Sequence, residues 1–436
     1  MGKYFGLDGI RGKAYDFLSF ELAFTLGKSL IVLNQNLLVI GKDTRESGDM
    51  LIDAVIQGAK ISGIDVINLD VVPTPLLSYI SQKLDCIGVM ITASHNPFQD
   101  NGIKVFNSGN KIFLDLEEQI ENAMDDIIIF PIPSKVGKTL PSILPYNMYL
   151  SLFNDLLVPT DFKIGLDLAN GATYISGKLI FSKIAKNLFT IGDNPNGQNI
   201  NLNVGSTHPE NLVALVKKNQ LDFAFAFDGD GDRVIMVNQD GIIFDGDFLI
   251  YVIALYLKSK DLLNDNTVVL TKMSNLGIIK SLKQNGINVV LTDVGDKYVL
   301  NQITEHNYTL GGESSGHIIN TFLLNSGDGV LNAAFIVKIL RDWHTTIDEL
   351  TKSVVIYPSK LVNLQNMDRT LVNHEDVQEE INKIKKKLAD DGVVLVRASG
   401  TEPLVRISVI APTIEIVDES INSIVHIFEK LNNKLE

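Results

Sequence analysis

The sequence predicts an α/β protein of several domains that ends in a smaller α+β domain. Three observations carry this expectation. Over the first three-quarters of the chain, short apolar runs alternate with helix-length segments, the pattern of α/β sheets. Most of those runs are rich in β-branched or aromatic residues and stop at a Gly, Asp, Ser or Asn cluster. The pattern then changes at about Leu361. A chain of 436 residues exceeds one ordinary core, so two to four domains are expected, and 45% hydrophobic residues are enough to fill them.

In chain order, strands are expected at Leu37–Ile40, Asp65–Leu69, Gly88–Thr92, Lys163–Asp167, Phe223–Phe227, Val268–Thr271 and Val289–Thr292. Helices are expected between them, for example over Glu46–Ser62 and Pro209–Asn219. The second opens with an expected cap in Thr207-His208-Pro209-Glu210. The apolar run Phe248 to Leu257 is far too short to span a bilayer and reads as a buried helix. Strand-then-polar-turn units recur, at uneven spacing, after Thr92, Phe227 and Thr292, which suggests three related α/β domains. From Leu361 follow a strand, a charged helix (Asp376–Leu388), a strand (Val393–Arg397), the turn Ala398–Pro403, another strand and a final helix from Val417. Boundaries are expected near 148, 248 and 360, dividing the chain into 1–148, 149–248, 249–359 and 360–436. Val355–Lys360, broken by Pro358, reads as the last linker.

Lys plus Arg number 38 and Asp plus Glu 52, a formal charge of −14. Such a chain is a poor nucleic-acid binder, and any phosphate site in it must be built from local basic residues and backbone N–H groups. The single cysteine, Cys86, allows no internal disulfide and fits a reducing cytoplasm. The first residues contain no apolar h-region, so no signal peptide and no membrane association are expected.

Five segments carry chemistry. In Gly88–Pro97 an apolar strand runs into Thr92-Ala93-Ser94-His95-Asn96-Pro97, placing Ser94 at a strand's C-terminal end, where open α/β sheets bind ligands. Lys104 follows in Asn101-Gly102-Ile103-Lys104 and is expected to return to the same place. Alone, this segment reads equally as a turn with a hydrogen-bonding serine. A Ser-His hydrolase is disfavoured, because no Gly-x-Ser-x-Gly elbow surrounds Ser94.

The second segment, Phe223–Arg233, sets Asp228, Asp230 and Asp232 at alternate positions after a buried strand, with glycines that let the loop curl around one cation. An all-oxygen site suits Mg²⁺. An EF-hand fails on spacing, since its sixth position is Arg233 and its twelfth Gln239. An aspartyl nucleophile of haloacid-dehalogenase type is a fairer rival. Arg233 is placed to face a phosphate bound to the cation.

In the third, Arg397 and Arg406 flank Ser399, Gly400 and Thr401, a combination of guanidinium forks, hydroxyls and backbone N–H groups suited to cradling phosphate. The fourth, Gly311–His317, surrounds Glu313, Ser314, Ser315 and His317 with glycines; it suits sugar hydroxyls or a sugar amine, and it reads equally as a plain turn. In the fifth, Phe5–Gly12, Arg11 stands among glycines and can approach an anion or sit in an ion pair. Together these are the parts that phosphoryl transfer requires.

The five motifs, in this order and across nearly the whole chain, resemble the α-D-phosphohexomutase superfamily. TASHNP resembles its phosphoserine motif, DGDGDR its metal loop, GESSGH its sugar loop and RASGTEPLVR its phosphate loop. Within it, FGLDGIRGKA, DLANGA at 167–172, NINLNVGSTHPE at 199–210 and His317 are similar to the bacterial branch acting on glucosamine phosphates. Leu7, Ser314, Lys297 and Ala398 depart from the usual Thr, Gln, Arg and Pro.

The resemblance implies four domains around a central active-site cleft, the fourth mobile. It implies interconversion of glucosamine 6-phosphate and glucosamine 1-phosphate through phospho-Ser94 and a bisphosphorylated sugar, towards UDP-N-acetylglucosamine and peptidoglycan. One Mg²⁺ would be held by Asp228, Asp230, Asp232 and Ser94, with a sugar bisphosphate as activator. Arg11, Lys104 and Arg233 would stabilise the transferred group, with Lys104 or His317 as general base. Glu313 and Ser315 would meet the sugar, and Arg397, Ser399, Gly400, Thr401 and Arg406 the distal phosphate. The partner is a phosphosugar, in the cytoplasm, with a homodimer as the candidate assembly. The rivals are the same chemistry on mannose or glucose phosphates, and a sugar-phosphate-binding homologue without catalysis.

Overall fold

The structure, a computed structural model, describes residues 2–6, 8–126, 135–365, 367–398 and 404–432. It divides into two compact units, one of Met1–Lys272 with Asn288–Thr351 and one of Met273–Ile287 with Lys352–Glu436.

The first unit contains three sheets. Strands β1 (Ile10–Lys13), β2 (Leu37–Lys42), β3 (Asp65–Val71), β4 (Ile87–Ile91), β5 (Asp100–Asn107) and β6 (Asn110–Lys111) form the first, in the order β1-β5-β4-β2-β3 with β6 on β5. Strands β7 (Thr160–Asp167), β8 (Ala185–Ile191), β9 (Phe223–Phe227), β10 (Val234–Asn238) and β11 (Ile243–Phe244) form the second, ordered β11-β10-β9-β7-β8. Strands β12 (Thr267–Thr271), β13 (Asn288–Thr292), β14 (Leu310–Gly312) and β15 (Ile318–Asn320) form the third, ordered β13-β12-β14-β15.

One wiring pattern underlies all three. Strands β2, β7 and β12 each pair in parallel with the next strand on one side and the one after it on the other, and that last strand then turns back into an antiparallel neighbour. The expected threefold relationship is therefore present. Its third unit lies elsewhere than expected: the connection equivalent to those after Thr92 and Phe227 follows Gly312, not Thr292. Thr292 ends β13, an outer parallel strand.

The strands that lead to the first two connections are buried on both faces, as parallel strands covered by helices must be, and so read as unbroken apolar runs. Each large side chain buried there contributes about 1.5–3 kcal/mol. On the first sheet, the helices Phe20–Ser29 and Gly48–Ile61 approach so closely that a Cβ on Gly58 would run into the Phe24 carbonyl. Glycine there costs about 1 kcal/mol of helix propensity and admits the contact.

The apolar run at 248–257 lies in the helix Gly246–Ser259, largely buried and capped by the Asp245 side chain, and this helix runs across the expected boundary at 248. The helix expected from Pro209 begins at Glu210 with Pro209 as its N-cap residue and no side-chain cap bond, so Thr207 does not cap it. Among the described residues, no helix is long and apolar enough to cross a membrane.

The second unit is built on an antiparallel sheet of β16 (Ser359–Gln365), β17 (Val393–Ala398) and β18 (Leu404–Ile410), ordered β16-β18-β17. The helices Glu375–Leu388 and Ile414–Asn432 turn Val377, Ile381, Ile384 and Ile421, Ile424, Phe428 into its core. The expected strand–helix–strand–strand–helix order is found.

Candidate active site

The threefold wiring places three of the chemical segments at equivalent points. The β4–β5 connection contains Ser94, the β9–β10 connection Asp228, Asp230 and Asp232, and the β14–β15 connection Glu313 and His317. Ligand-binding groups are expected where parallel strands end.

Ser94 is buried, with a left-handed backbone (φ 53°) that a non-glycine residue adopts only when its surroundings enforce it. Its N–H donates to Thr92 Oγ1 at 2.9 Å. Its carbonyl accepts from Arg45 at 2.9 Å and from Asn201 Nδ2 at 2.9 Å. Arg45, fully buried, also donates to the carbonyls of Asn96 (2.8 Å), Pro97 and Asp100 (2.9 Å) and to the Asp43 carboxylate at 2.9 Å. Asn201 reaches the Asn96 carbonyl as well, at 3.2 Å. With its backbone fixed in this way, Ser94 aims Oγ at Asp228 Oδ2, to which it donates at 2.5 Å.

The three aspartates are buried, with carboxylate oxygens within 4.8 Å of one another, close enough to hold one metal ion. Burial lifts Asp228 well above the ordinary carboxylate range, and Asp232 and Asp230 add to it. Burial also pushes Asp232 up, but Lys104 and His317 outweigh it and hold that carboxyl well below the usual range. Asp230 Oδ1 and Asp232 Oδ1 are buried and accept no hydrogen bond among the described residues. Unsatisfied carboxylate oxygens converging at a buried site are what a hard divalent cation satisfies, so the donor set fits Mg²⁺.

Lys104 is buried and lies 2.9 Å from Asp230, 3.2 Å from Asp232 and 3.3 Å from Asp8. Burial opposes its charge, but Asp230, Asp8 and Asp232 outweigh that and raise its pKa well above the ordinary value. Lys104 therefore does return to the site, as expected, and does so as a fixed cation. The general-base role expected for it finds no support in this environment.

His317, also buried, has Nδ1 3.6 Å from Asp232 Oδ1. Burial would lower its pKa, but Asp232, then Asp296 and Glu313, raise it to about 9. Burial lowers neighbouring His95 to about 4, with Arg233 and Arg11 adding to the effect. Ser94 is thus hydrogen-bonded to an aspartate rather than to His95, which removes the Ser-His alternative.

Arg11 donates to the Asp8 carboxylate and, at 3.3 Å, to the carbonyl of Ala93, so it borders the Ser94 loop. Arg233 has a buried Nε with no hydrogen-bond partner among the described residues and lies 3.9 Å from Asp232. Burial raises Glu313 against the pull of His317, and its carboxylate accepts from the Gly295 N–H at 3.1 Å. Ser315 is exposed on the same turn. A cavity beside this turn is lined by Lys104, Lys111, Asp232, Asp296, Lys297 and His317 among others. Lys297, one of the four departures, lies in the helix Asp296–His306 and pairs with Glu117 of the helix Leu114–Asp125.

In the second unit, Arg397 and Arg406 are direct cross-strand partners on β17 and β18. Burial and then Arg406 lower the Arg397 pKa. Like charges directly opposite destabilise a sheet unless an anion joins them. Ser399, Gly400, Thr401 and the departure at Leu7 lie outside the described residues.

Sequence reasoning passed over Arg45, Thr74 and Asn201. Asn201 lies in the NINLNVG segment. It backs the Ser94 loop, and DLANGA backs the aspartate loop through the Ala172 N–H, 2.8 Å from the Gly229 carbonyl.

Three equivalent sheet connections, with a serine in one bonded to a buried aspartate cluster in the next, define a protein of the phosphohexose-mutase class. The sequence bears this out along its length: phosphoglucomutase/phosphomannomutase alpha/beta/alpha domains I, II and III match residues 2–128, 148–241 and 245–356, and the C-terminal domain of that family matches 361–426. The chain belongs to this family. It is 42% identical to the phosphoglucosamine mutase of Exiguobacterium sp. and 43% identical to that of Bacillus cytotoxicus, in each case over 98% of both chains. Its fold is also that of a phosphoglucomutase/phosphomannomutase family protein from Burkholderia thailandensis, with a TM-score of 0.81 at 22% identity, covering 98% of this chain and 97% of that one.

Proposed function

We propose that this chain interconverts glucosamine 6-phosphate and glucosamine 1-phosphate, supplying UDP-N-acetylglucosamine synthesis; the reading is supported by relatives at 42–43% identity named phosphoglucosamine mutase. The observation that carries the reading is the hydrogen bond from Ser94 Oγ to Asp228, at the mouth of a three-carboxylate cluster.

In this reading Ser94 carries the phosphoryl group. The bond from phosphorus to Ser94 Oγ breaks as one forms to the free hydroxyl of the bound monophosphate; His317 gives its proton to Ser94 Oγ and is reprotonated by the proton that the hydroxyl loses. The bisphosphorylated sugar turns round, and its other phosphate returns to Ser94. A sugar bisphosphate is the activator that restores phospho-Ser94. Asp228, Asp230, Asp232 and phospho-Ser94 would hold Mg²⁺, which when bound neutralises charge on the transferring oxygens. Lys104, Arg11 and Arg233 add fixed positive charge around the same group. His317, charged at neutral pH with a pKa of about 9, serves as the proton donor to a leaving oxygen and takes the proton back in the reverse half-reaction. Glu313 and Ser315 meet the sugar. Arg397 and Arg406, with Ser399, Gly400 and Thr401, hold the phosphate that is not reacting. The chain divides into 1–148, 149–245, 246–359 and 360–436, the second boundary moving from 248 to the start of the helix Gly246–Ser259, with a homodimer as the candidate assembly in the cytoplasm.

Ser94→Ala should reduce mutase turnover by at least about 10⁴-fold, and a variant turning over at the wild-type rate would sink the scheme. Comparing kcat/KM on glucosamine 6-phosphate, mannose 1-phosphate and glucose 1-phosphate tests the sugar: the first should be highest, and a higher value on either of the others reassigns the enzyme.

A further inference from the structure

Thr74 is the first residue of the helix Thr74–Lys83, which follows β3 of the first sheet, whereas the aspartate loop belongs to the second. It is buried and touches Asp230 twice. Its N–H, one of the orphan donors at a helix start, donates to the Asp230 carbonyl at 2.9 Å. Its hydroxyl donates to Asp230 Oδ2 at 2.7 Å. Lys104 Nζ donates to the same Oδ2 at 2.9 Å. The other carboxylate oxygen, Oδ1, is buried and accepts nothing among the described residues.

We infer that Thr74 is a positioning residue for the cation site: it engages Oδ2 of Asp230 and holds the carboxylate in the one rotation that leaves Oδ1 to the cation. The inference rests on the cation reading of the aspartate loop and deepens it. Asp230 follows Gly229 and precedes Gly231, which has a positive φ of 76°, so its own backbone offers little to fix it. A carboxylate between two glycines must be oriented from outside, and outer partners of this kind set metal affinity. The contact comes from a different sheet, so it also ties the first sheet to the spacing of the metal loop.

The Thr74→Val variant keeps the shape and the backbone bond and removes the hydroxyl. Thr74→Ser keeps the hydroxyl and removes the methyl. The test is titration of the full chain with Mn²⁺ alone, read by electron paramagnetic resonance of free Mn²⁺, alongside thermal unfolding without metal. We expect Thr74→Val to weaken Mn²⁺ binding about 10- to 100-fold, and Thr74→Ser to stay within about 2-fold of wild type, because affinity should follow the hydroxyl. Wild-type affinity in Thr74→Val, or a loss that follows the methyl instead, overturns the inference while leaving the cation site intact. Asp230→Asn separates the two readings: if it binds Mn²⁺ like wild type, or if wild type binds none, the cation reading falls and the role of Thr74 with it. Should Thr74→Val not fold, a wild-type-like affinity in Thr74→Ala would overturn the inference, a weakened one beside a near-wild-type Thr74→Ser would support it, and equal losses in both would overturn it.

Discussion

The two sides of the Ser94 loop use buried polar atoms in opposite ways. Behind the loop, Arg45 is sealed from solvent and donates to Asp43 and to the carbonyls of Ser94, Asn96, Pro97 and Asp100. In front of it, Asp230 Oδ1, Asp232 Oδ1, His95 Nδ1 and Arg233 Nε are buried without hydrogen-bond partners among the described residues. An unsatisfied buried polar atom costs about 1–3 kcal/mol. Several in one place are tolerable only where something else satisfies them when the protein works. The satisfied arginine is therefore scaffold, and the unsatisfied one waits for a ligand.

The comparison can be broken from either side. Arg45→Met would leave the buried Asp43 carboxylate without its cation and four carbonyls without a shared donor. It should cost about 3–5 kcal/mol of unfolding free energy, measured as a lower urea midpoint at unchanged slope. A variant as stable as wild type would show that the loop holds itself. Arg233→Ala should behave in the reverse manner. Turnover on the phosphosugar should fall about 10²- to 10³-fold, while stability, measured with Mg²⁺ present, should fall clearly less than in Arg45→Met. If stability falls as far as in Arg45→Met, the distinction between the two sides is wrong.

How much of this was legible depends on the signal each residue leaves in the chain. The strands β4 and β9 announce themselves because burial on both faces makes them continuous apolar runs ending in polar turns. The serine and aspartate connections are therefore legible in the sequence. Strand β14 has three residues, Leu310–Gly312, two of them glycine, and β15 only three. Neither is long enough to show a period, so the apolar run ending at Thr292 carries the strand-then-turn signal in that region. Arg45 sits in Lys42-Asp43-Thr44-Arg45, a charged turn like many solvated ones. Its complete burial follows from tertiary packing, to which local composition is blind. Thr74 and Asn201 act across sheets, at sequence distances of 156 and 107 residues from Asp230 and Ser94, so no local pattern could join them to the site. The raised pKa of His317 has the same origin, since the two carboxylates that do most to hold its proton, Asp232 and Asp296, lie outside its own loop.

The smallest effect sharpens the comparison on the scaffold side. Asp167, at the end of β7, accepts the Ala169 N–H at 3.0 Å and the Gly205 N–H at 2.7 Å, and so holds the turn that backs the aspartate loop. Burial nevertheless raises its pKa to about 6, because two backbone donors compensate only part of the desolvation. The folded pKa lies above the unfolded one, so the folded chain binds more protons between roughly pH 4 and pH 6. The contribution is fully present below that window and is lost as pH rises through it. Asp167→Asn does not titrate there and serves as the reference. The stability of wild type relative to Asp167→Asn should therefore fall between pH 4.5 and pH 7 and level off above it, as followed by thermal unfolding across the range. A difference that grows with pH would mean that Asp167 is stabilised as the carboxylate, and that this buried acceptor is better satisfied than its two hydrogen bonds indicate.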